Sequence, residues 1–157
     1  MKSMPLQFGG RVVEVFGGPY VERPAHMTGV KLAVEINEPC DIDLPVRDYS
    51  VPDVGLAQKA IRECLGHMMR GESLYVGCWG GKGRTGLFMA ILAKAAGVED
   101  PVAYVRSTFN NHAVETPEQE AYVREFPVGM LKWAYRAASF SAQRSAPTPP
   151  GSSKPGP

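Results

Sequence analysis

The sequence predicts a single α/β domain, with a central, mostly parallel sheet flanked by helices on both faces. Three observations carry this. Short Val- and Ile-rich stretches bounded by Gly or Pro open the chain, as strands do. A long segment of helical periodicity then leads to another short apolar run, and a strand–helix–strand order favours a parallel pair. Beyond a glycine-rich segment, all that remains reads as helix. A chain of 157 residues is long enough for one domain with a real core.

The first strands are expected at Arg11–Phe16, Gly29–Ile36 and Ile42–Val46. From Asp53 to Arg70, apolar residues fall at positions 54, 56, 57, 60, 61, 64, 65, 68 and 69, the spacing of one helical face. Asp53 suits the N-cap and Gly71 the stop. Ser73–Val76 is a short buried strand, and Gly77–Gly86 runs from it into a helix over Leu87–Ala96, closed by Gly97. A further helix is expected over Pro101–Phe109. Thr116-Pro117-Glu118-Gln119 has the form of a capping box with Pro at the first helical position. A last helix covers Val128–Phe140. From Ser141 the chain turns to Ser, Pro and Gly, which cannot bury enough apolar surface to order themselves. The expected organisation is a domain over 1–140 and a disordered tail over 141–157.

Charge and composition exclude several classes. With 17 Lys and Arg against 16 Asp and Glu, the net charge is +1, so no global field draws in nucleic acid or a membrane, and neither partner is expected. The N-terminus lacks the apolar stretch of a signal peptide and is interrupted by Pro5 and Gly9-Gly10. The longest apolar run, Leu87–Ala93, is far too short to span a bilayer. Three cysteines, Cys40, Cys64 and Cys78, with no Cys-x-x-Cys, suit a reducing compartment, and a cytoplasmic location is the default expectation. Cys64 and His67 are half a metal site at most and no second pair completes it, so neither a metal nor any other cofactor is expected.

The glycine-rich segment carries the chemistry. Five glycines lie within the ten residues Gly77–Gly86, between a buried strand and a helix start. Such a segment turns tightly and points successive N–H groups at one spot, and the helix behind adds unpaired N–H groups and a positive dipole end. The result is a nest for an oxyanion, most naturally a phosphate. A nucleoside-triphosphate loop needs Ser or Thr directly after Gly-Lys, whereas Gly83 follows Lys82. Gly81-x-Gly83-x-x-Gly86 matches a dinucleotide fingerprint, but the chain beyond Gly86 has no strands for a second βαβ unit. The remaining reading uses the side chains. Cys78 opens the nest and Arg84 closes it, so a loop of Trp79, Gly80, Gly81, Lys82 and Gly83 curled around a tetrahedral anion puts a thiol beneath phosphorus and a guanidinium fork on two equatorial oxygens. The N–H ring and Arg84 also favour the thiolate, the nucleophilic form. The plain alternative is a buried structural cysteine beside a surface arginine.

Cys78, five residues, Arg84 and Thr85 resemble the signature loop of the protein tyrosine phosphatase superfamily. Gly81-Lys82-Gly83-Arg84-Thr85-Gly86 is most similar to the loops of the tensin-related lipid phosphatases and the compact dual-specificity enzymes. The likeness extends to Pro45-Val46-Arg47-Asp48, similar to the mobile loop of the family's general acid, and to Glu115-Thr116-Pro117-Glu118-Gln119, similar to the segment whose glutamine positions water. The resemblance covers about residues 42–125 and implies a tyrosine-phosphatase-like fold and hydrolysis of a phosphomonoester through a phosphocysteine. It implies these roles: Cys78 as nucleophile, Arg84 and the backbone of Trp79–Gly83 as phosphate binders, Asp48 as general acid, Thr85 as donor to the thiolate, and Glu115 or Gln119 as the water-positioning group of the second step. Asp53 is the competing acid but suits the helix cap better. Two departures stand out. Gly77 replaces the histidine that usually precedes the cysteine, and Glu115 replaces the first of two glutamines. The expected substrate is phosphotyrosine in proteins, with phosphoserine and phosphothreonine next. A phosphoinositide, an inositol phosphate or an RNA 5′-phosphate is the alternative, and a phospho-binding module with weak turnover is the rival of another class.

Overall fold

The computed structural model describes residues 1–144. Five strands, β1 (Lys2–Phe8), β2 (Arg11–Pro19), β3 (Thr28–Ala33), β4 (Ile42–Val46) and β5 (Leu74–Cys78), form one sheet of order β1-β2-β5-β3-β4. β1 pairs antiparallel with β2, and every other pairing is parallel, as the sequence predicts. Five helices match the sequence closely: α1 (Val54–Met69), α2 (Gly83–Ala95), α3 (Pro101–Thr108), α4 (Pro117–Glu125) and α5 (Gly129–Arg144). The Asp53 carboxylate accepts from Leu56 N–H at the start of α1. The capping box at Thr116 and Gln119 is present. α5 runs to Arg144, and the rest of the expected tail lies outside the described residues.

The helices collect on one face of the sheet rather than both. Met4, Leu6, Phe8, Val15, Val30, Leu32, Ile42, Leu44, Val46 and Val76 form one continuous core with α2, of which only Lys94 is not buried. The opposite face is crossed by two connections, residues 20–27 from β2 to β3 and residues 34–41 from β3 to β4. Both are shorter than the dozen or so residues a helical crossover needs. The first holds a single 3-10 turn, Tyr20–Glu22, and the buried Tyr20 ring ties the two together by donating its hydroxyl to Pro39 O at 2.7 Å.

β1 is absent from the sequence reading because Pro5 looked like a breaker. It stands on an edge strand, where a missing N–H costs no ladder bond. The period-two signal was present: Met4, Leu6 and Phe8 are buried, and Ser3, Pro5 and Gln7 turn to the other face. α2 starts at Gly83, four residues earlier than expected, so Arg84, Thr85 and Gly86 belong to its first turn. Among the described residues, no helix is long and apolar enough to cross a membrane.

The alternation along β1 is testable. Phe8→Ala removes a fully buried ring and is expected to cost about 3–5 kcal/mol in urea unfolding, whereas Gln7→Ala changes stability by less than about 0.5 kcal/mol.

Candidate active site

β5 is a central strand buried along its whole length, and its last residue is Cys78. The chain then turns through Trp79–Lys82 and enters α2 at Gly83 with no side chain capping the helix. The first N–H groups of α2 therefore have no side-chain acceptor and point into the turn. Gly81, at φ +72°, passes so close to β2 that a Cβ would lie 2.4 Å from the Gly18 carbonyl carbon. Only glycine serves there, and its N–H donates to Cys78 Sγ at 3.2 Å. The fully buried Thr85 donates its hydroxyl to the same sulfur at 3.0 Å. The Cys78 sulfur thus receives two hydrogen bonds at the mouth of a helix.

Gly77 has a steric cause. A Cβ at this position would sit 2.6 Å from Tyr20 Cα and 2.9 Å from Tyr20 N, both backbone atoms of the 3-10 turn. The turn lies flat on the strand there, so no side chain fits.

Arg84 is 3 % exposed and reaches across the sheet ends. Its Nη1 donates to Glu35 Oε1 at 2.8 Å and to Val46 O at 2.7 Å, and its Nη2 donates to Glu35 Oε2 at 2.7 Å. The two Nη atoms thus face Glu35 end-on. The adjacent edge is different: Nε is buried without a protein partner, and Nη2 lies 3.7 Å from Asp48 Oδ1. An Nε/Nη2 edge is the geometry that takes two oxygens of one tetrahedral anion. The guanidinium holds the Glu35 carboxyl down from its ordinary 4.5 to about 2, chiefly by direct hydrogen bonding.

Glu35 is the residue that the sequence reading missed. It lay inside the expected strand Gly29–Ile36, but β3 stops at Ala33 and the chain turns, with Ile36 N–H bonded to Ala33 O. The one available signal was general: a buried arginine needs a carboxylate, and an acid in an apolar run is a candidate.

Asp48 sits on an exposed turn after β4, its carboxylate accepting from Tyr49 N–H at 3.0 Å. Asp53 caps α1 and Asp41 accepts from Gly29 N–H, so both are occupied away from the loop. The structure separates Glu115 from Gln119. Glu115 is exposed and lies against the phosphate-loop end of α2, its carboxyl carbon 3.0 Å from where a Gly83 Cβ would stand. Gln119 is fully buried, with its carboxamide bonded to Glu115 N–H, Thr116 N–H and Ser50 O. Lys82 and Trp79 are exposed, Trp79 by 65 %, so its ring stands out from the loop rather than packing beneath it. Cys64 is buried in α1, and His67 is bonded to Glu72 and Arg70.

Residues 21–132 match the family described as PTP-SAK, Swiss Army Knife protein, DSP-PTPase phosphatase domain. Two proteins of Methanocaldococcus jannaschii, MJECL20 and MJ0215, are 41 % and 36 % identical over 83 residues, 53 % of this chain. The chain spans about half the length of these curated relatives, 56 % and 52 % respectively. Among solved structures, Tk-PTP in its active form has TM-score 0.56 at 23 % identity, over 64 % of this chain and 78 % of that one. Kinase associated phosphatase, with serine replacing its catalytic-site cysteine, has TM-score 0.59 at 14 % identity over 80 % and 93 %. PTPMT1 in complex with PI(5)P has TM-score 0.56 at 17 % identity over 81 % and 93 %. At these identities the solved structures share the fold.

The Arg84–Glu35 pair has a pH signature. The folded-state value of Glu35 is depressed, so its contribution is complete above its ordinary 4.5 and is lost as pH falls toward about 2. Urea unfolding across that window should show wild type losing stability more steeply than Glu35→Gln, while Glu35→Gln is the less stable protein at neutral pH.

Proposed function

We propose that this chain, which belongs to the family of DSP-PTPase phosphatase domains, hydrolyses phosphomonoesters through a phosphocysteine on Cys78, with phosphotyrosine in proteins as its preferred substrate. The observation that carries the reading is the convergence at the loop. Cys78 Sγ accepts from Gly81 N–H and Thr85 Oγ1, and the Nε/Nη2 edge of Arg84 is left for an anion by the Glu35 pair.

The chemistry is set by these groups. The Cys78 thiolate attacks phosphorus and the bond to the leaving oxygen breaks. Asp48, on the turn facing Arg84, passes its proton to that oxygen. The loop N–H groups and Arg84 stabilise the equatorial oxygens through both steps. In the second step water attacks the phosphocysteine, its proton goes to the Asp48 carboxylate left by the first step, and the sulfur leaves as a thiolate received by Gly81 N–H and Thr85. Glu115, exposed beside Gly83, is our choice for orienting that water, because the Gln119 carboxamide is already committed to backbone partners.

Two exposed rings support an aromatic leaving group: Trp79 directly after the nucleophile and Tyr49 directly after Asp48. One observation favours a second reading. Lys82 is an exposed cation within the loop, suited to a substrate with more than one phosphate, and PTPMT1 is seen with PI(5)P. The described cysteines are all unpaired, which suits the reducing cytoplasm we propose as its location.

Cys78→Ser is expected to abolish phosphate release while leaving vanadate binding intact, because the N–H nest survives; retained turnover would remove the phosphocysteine, and a wild type without turnover would leave the phospho-binding reading. Asp48→Asn should slow hydrolysis of phosphotyrosine by about 10²–10³ and an activated nitrophenyl phosphate far less, since protonation matters most for poor leaving groups. Specificity constants for a phosphotyrosine peptide and a soluble phosphoinositide, measured with wild type and Lys82→Ala, decide the substrate class. A lipid preference that Lys82→Ala abolishes would replace the protein substrate.

A further inference from the structure

We propose that Gln119 is a positioning residue: its buried carboxamide locks the Asp48 turn to the Glu115 segment, so that the general acid and the water-orienting group are presented to one phosphate. The proposal rests on the phosphocysteine reading and assigns Gln119 a part outside the chemistry itself.

The carboxamide makes three hydrogen bonds with one possible polarity. Its oxygen accepts from Glu115 N–H at 2.8 Å and Thr116 N–H at 3.2 Å, and its nitrogen donates to Ser50 O at 3.3 Å. Backbone N–H groups cannot accept and a carbonyl cannot donate, so a flipped amide would lose all three. The residue is fully buried, where an unmet polar group is costly. One side chain therefore grips two loops that lie far apart in sequence.

Each of those loops contains a backbone conformation that does not hold itself. Tyr49, between Asp48 and Ser50, has φ 59°, and Val114, preceding Glu115, has φ 61°. Left-handed backbone is unfavourable for both, most of all for β-branched valine, and persists only where the surroundings impose it. At Val114 the restraints are visible: Arg106 donates to Ala113 O at 3.0 Å and to Val114 O at 2.9 Å, and Gln119 takes the next N–H. At Tyr49 they are Ser50 N–H to Arg47 O at 3.0 Å, Asp48 on Tyr49 N–H, and Gln119 on Ser50 O. Gln119 is common to both. The two strained residues each adjoin a carboxylate of the proposed mechanism, and the same strut sets where both carboxylates point.

The discriminating variant is Gln119→Glu. A glutamate retains the oxygen that accepts from Glu115 and Thr116 and completes a capping box of the usual kind, so α4 stays capped. It loses the donor to Ser50 and sets a carboxylate against that carbonyl, releasing the Asp48 turn alone. In the full chain, amide hydrogen exchange over residues 47–50 should accelerate while α4 stays protected, and the melting temperature should fall because a buried carboxylate now faces Ser50 O. kcat on phosphotyrosine should fall roughly 10- to 100-fold, the scale of an ångström-sized misplacement, with KM within about threefold. Nitrophenyl phosphate should be affected far less, and Gln119→Glu in an Asp48→Asn background should cost nothing more on phosphotyrosine. Gln119→Leu, which breaks all three bonds, should lower stability as well. Unchanged exchange over 47–50, equal losses on the two substrates, or full additivity with Asp48→Asn would each overturn the strut. A wild type that releases no phosphate sinks the phosphatase reading instead, and the exchange measurement still decides the strut.

Discussion

Neutralising Arg84 is the constraint on which the rest depends. A guanidinium buried at the ends of three strands is tolerable only if its charge is met. The structure meets it with a carboxylate and a carbonyl from separate places, Glu35 after β3 and Val46 at the end of β4. This one side chain therefore fastens the first turn of α2 to the far half of the sheet and fixes where the Asp48 turn begins. Only arginine can do so and still offer a second edge, because its fork is planar and its donors diverge; a lysine would spend its point charge on Glu35.

The same economy recurs around the loop. The left-handed Tyr49 and Val114 each cost conformational energy and each sit beside a carboxylate. They are held by side chains that reach backbone groups: Gln119 from α4, and Arg106 from α3, which also pairs with Glu120. Lys94 plays a like part at the far end of α4, donating to Val123 O, Arg124 O and Phe126 O, so that this short helix is pinned at both ends. The helical layer is not only a hydrophobic lid on the sheet; it presents the loops.

Much of this was legible in the residues. The α1 periodicity, the Asp53 cap, the capping box at Thr116 and the strand-to-glycine-to-helix order each have a local cause, so each could be read locally. What escaped depended on distant partners. β1 was lost because Pro5 is harmless only on an edge strand, and being an edge is a property of the sheet. The start of α2 was placed late because glycines that line an anion nest look like loop residues until the helix behind them is seen. Glu35 carries only a general signal in the sequence because its partner lies 49 positions away. The layering was misjudged for a similar reason: whether a crossover carries a helix depends on which strands it joins.

The contact between Gly77 and Tyr20 bears on how such a site can change over generations. A side chain at position 77 collides with backbone, which no rotamer can relieve. A lineage acquiring a residue there, histidine included, must first lift the Tyr20 turn off the strand, and that turn is tied through the tyrosine hydroxyl to the connection after β3. Exchanging the Tyr20 side chain does not open position 77, because the obstructing atoms are backbone, so a residue can enter there only together with a change in the course of the turn.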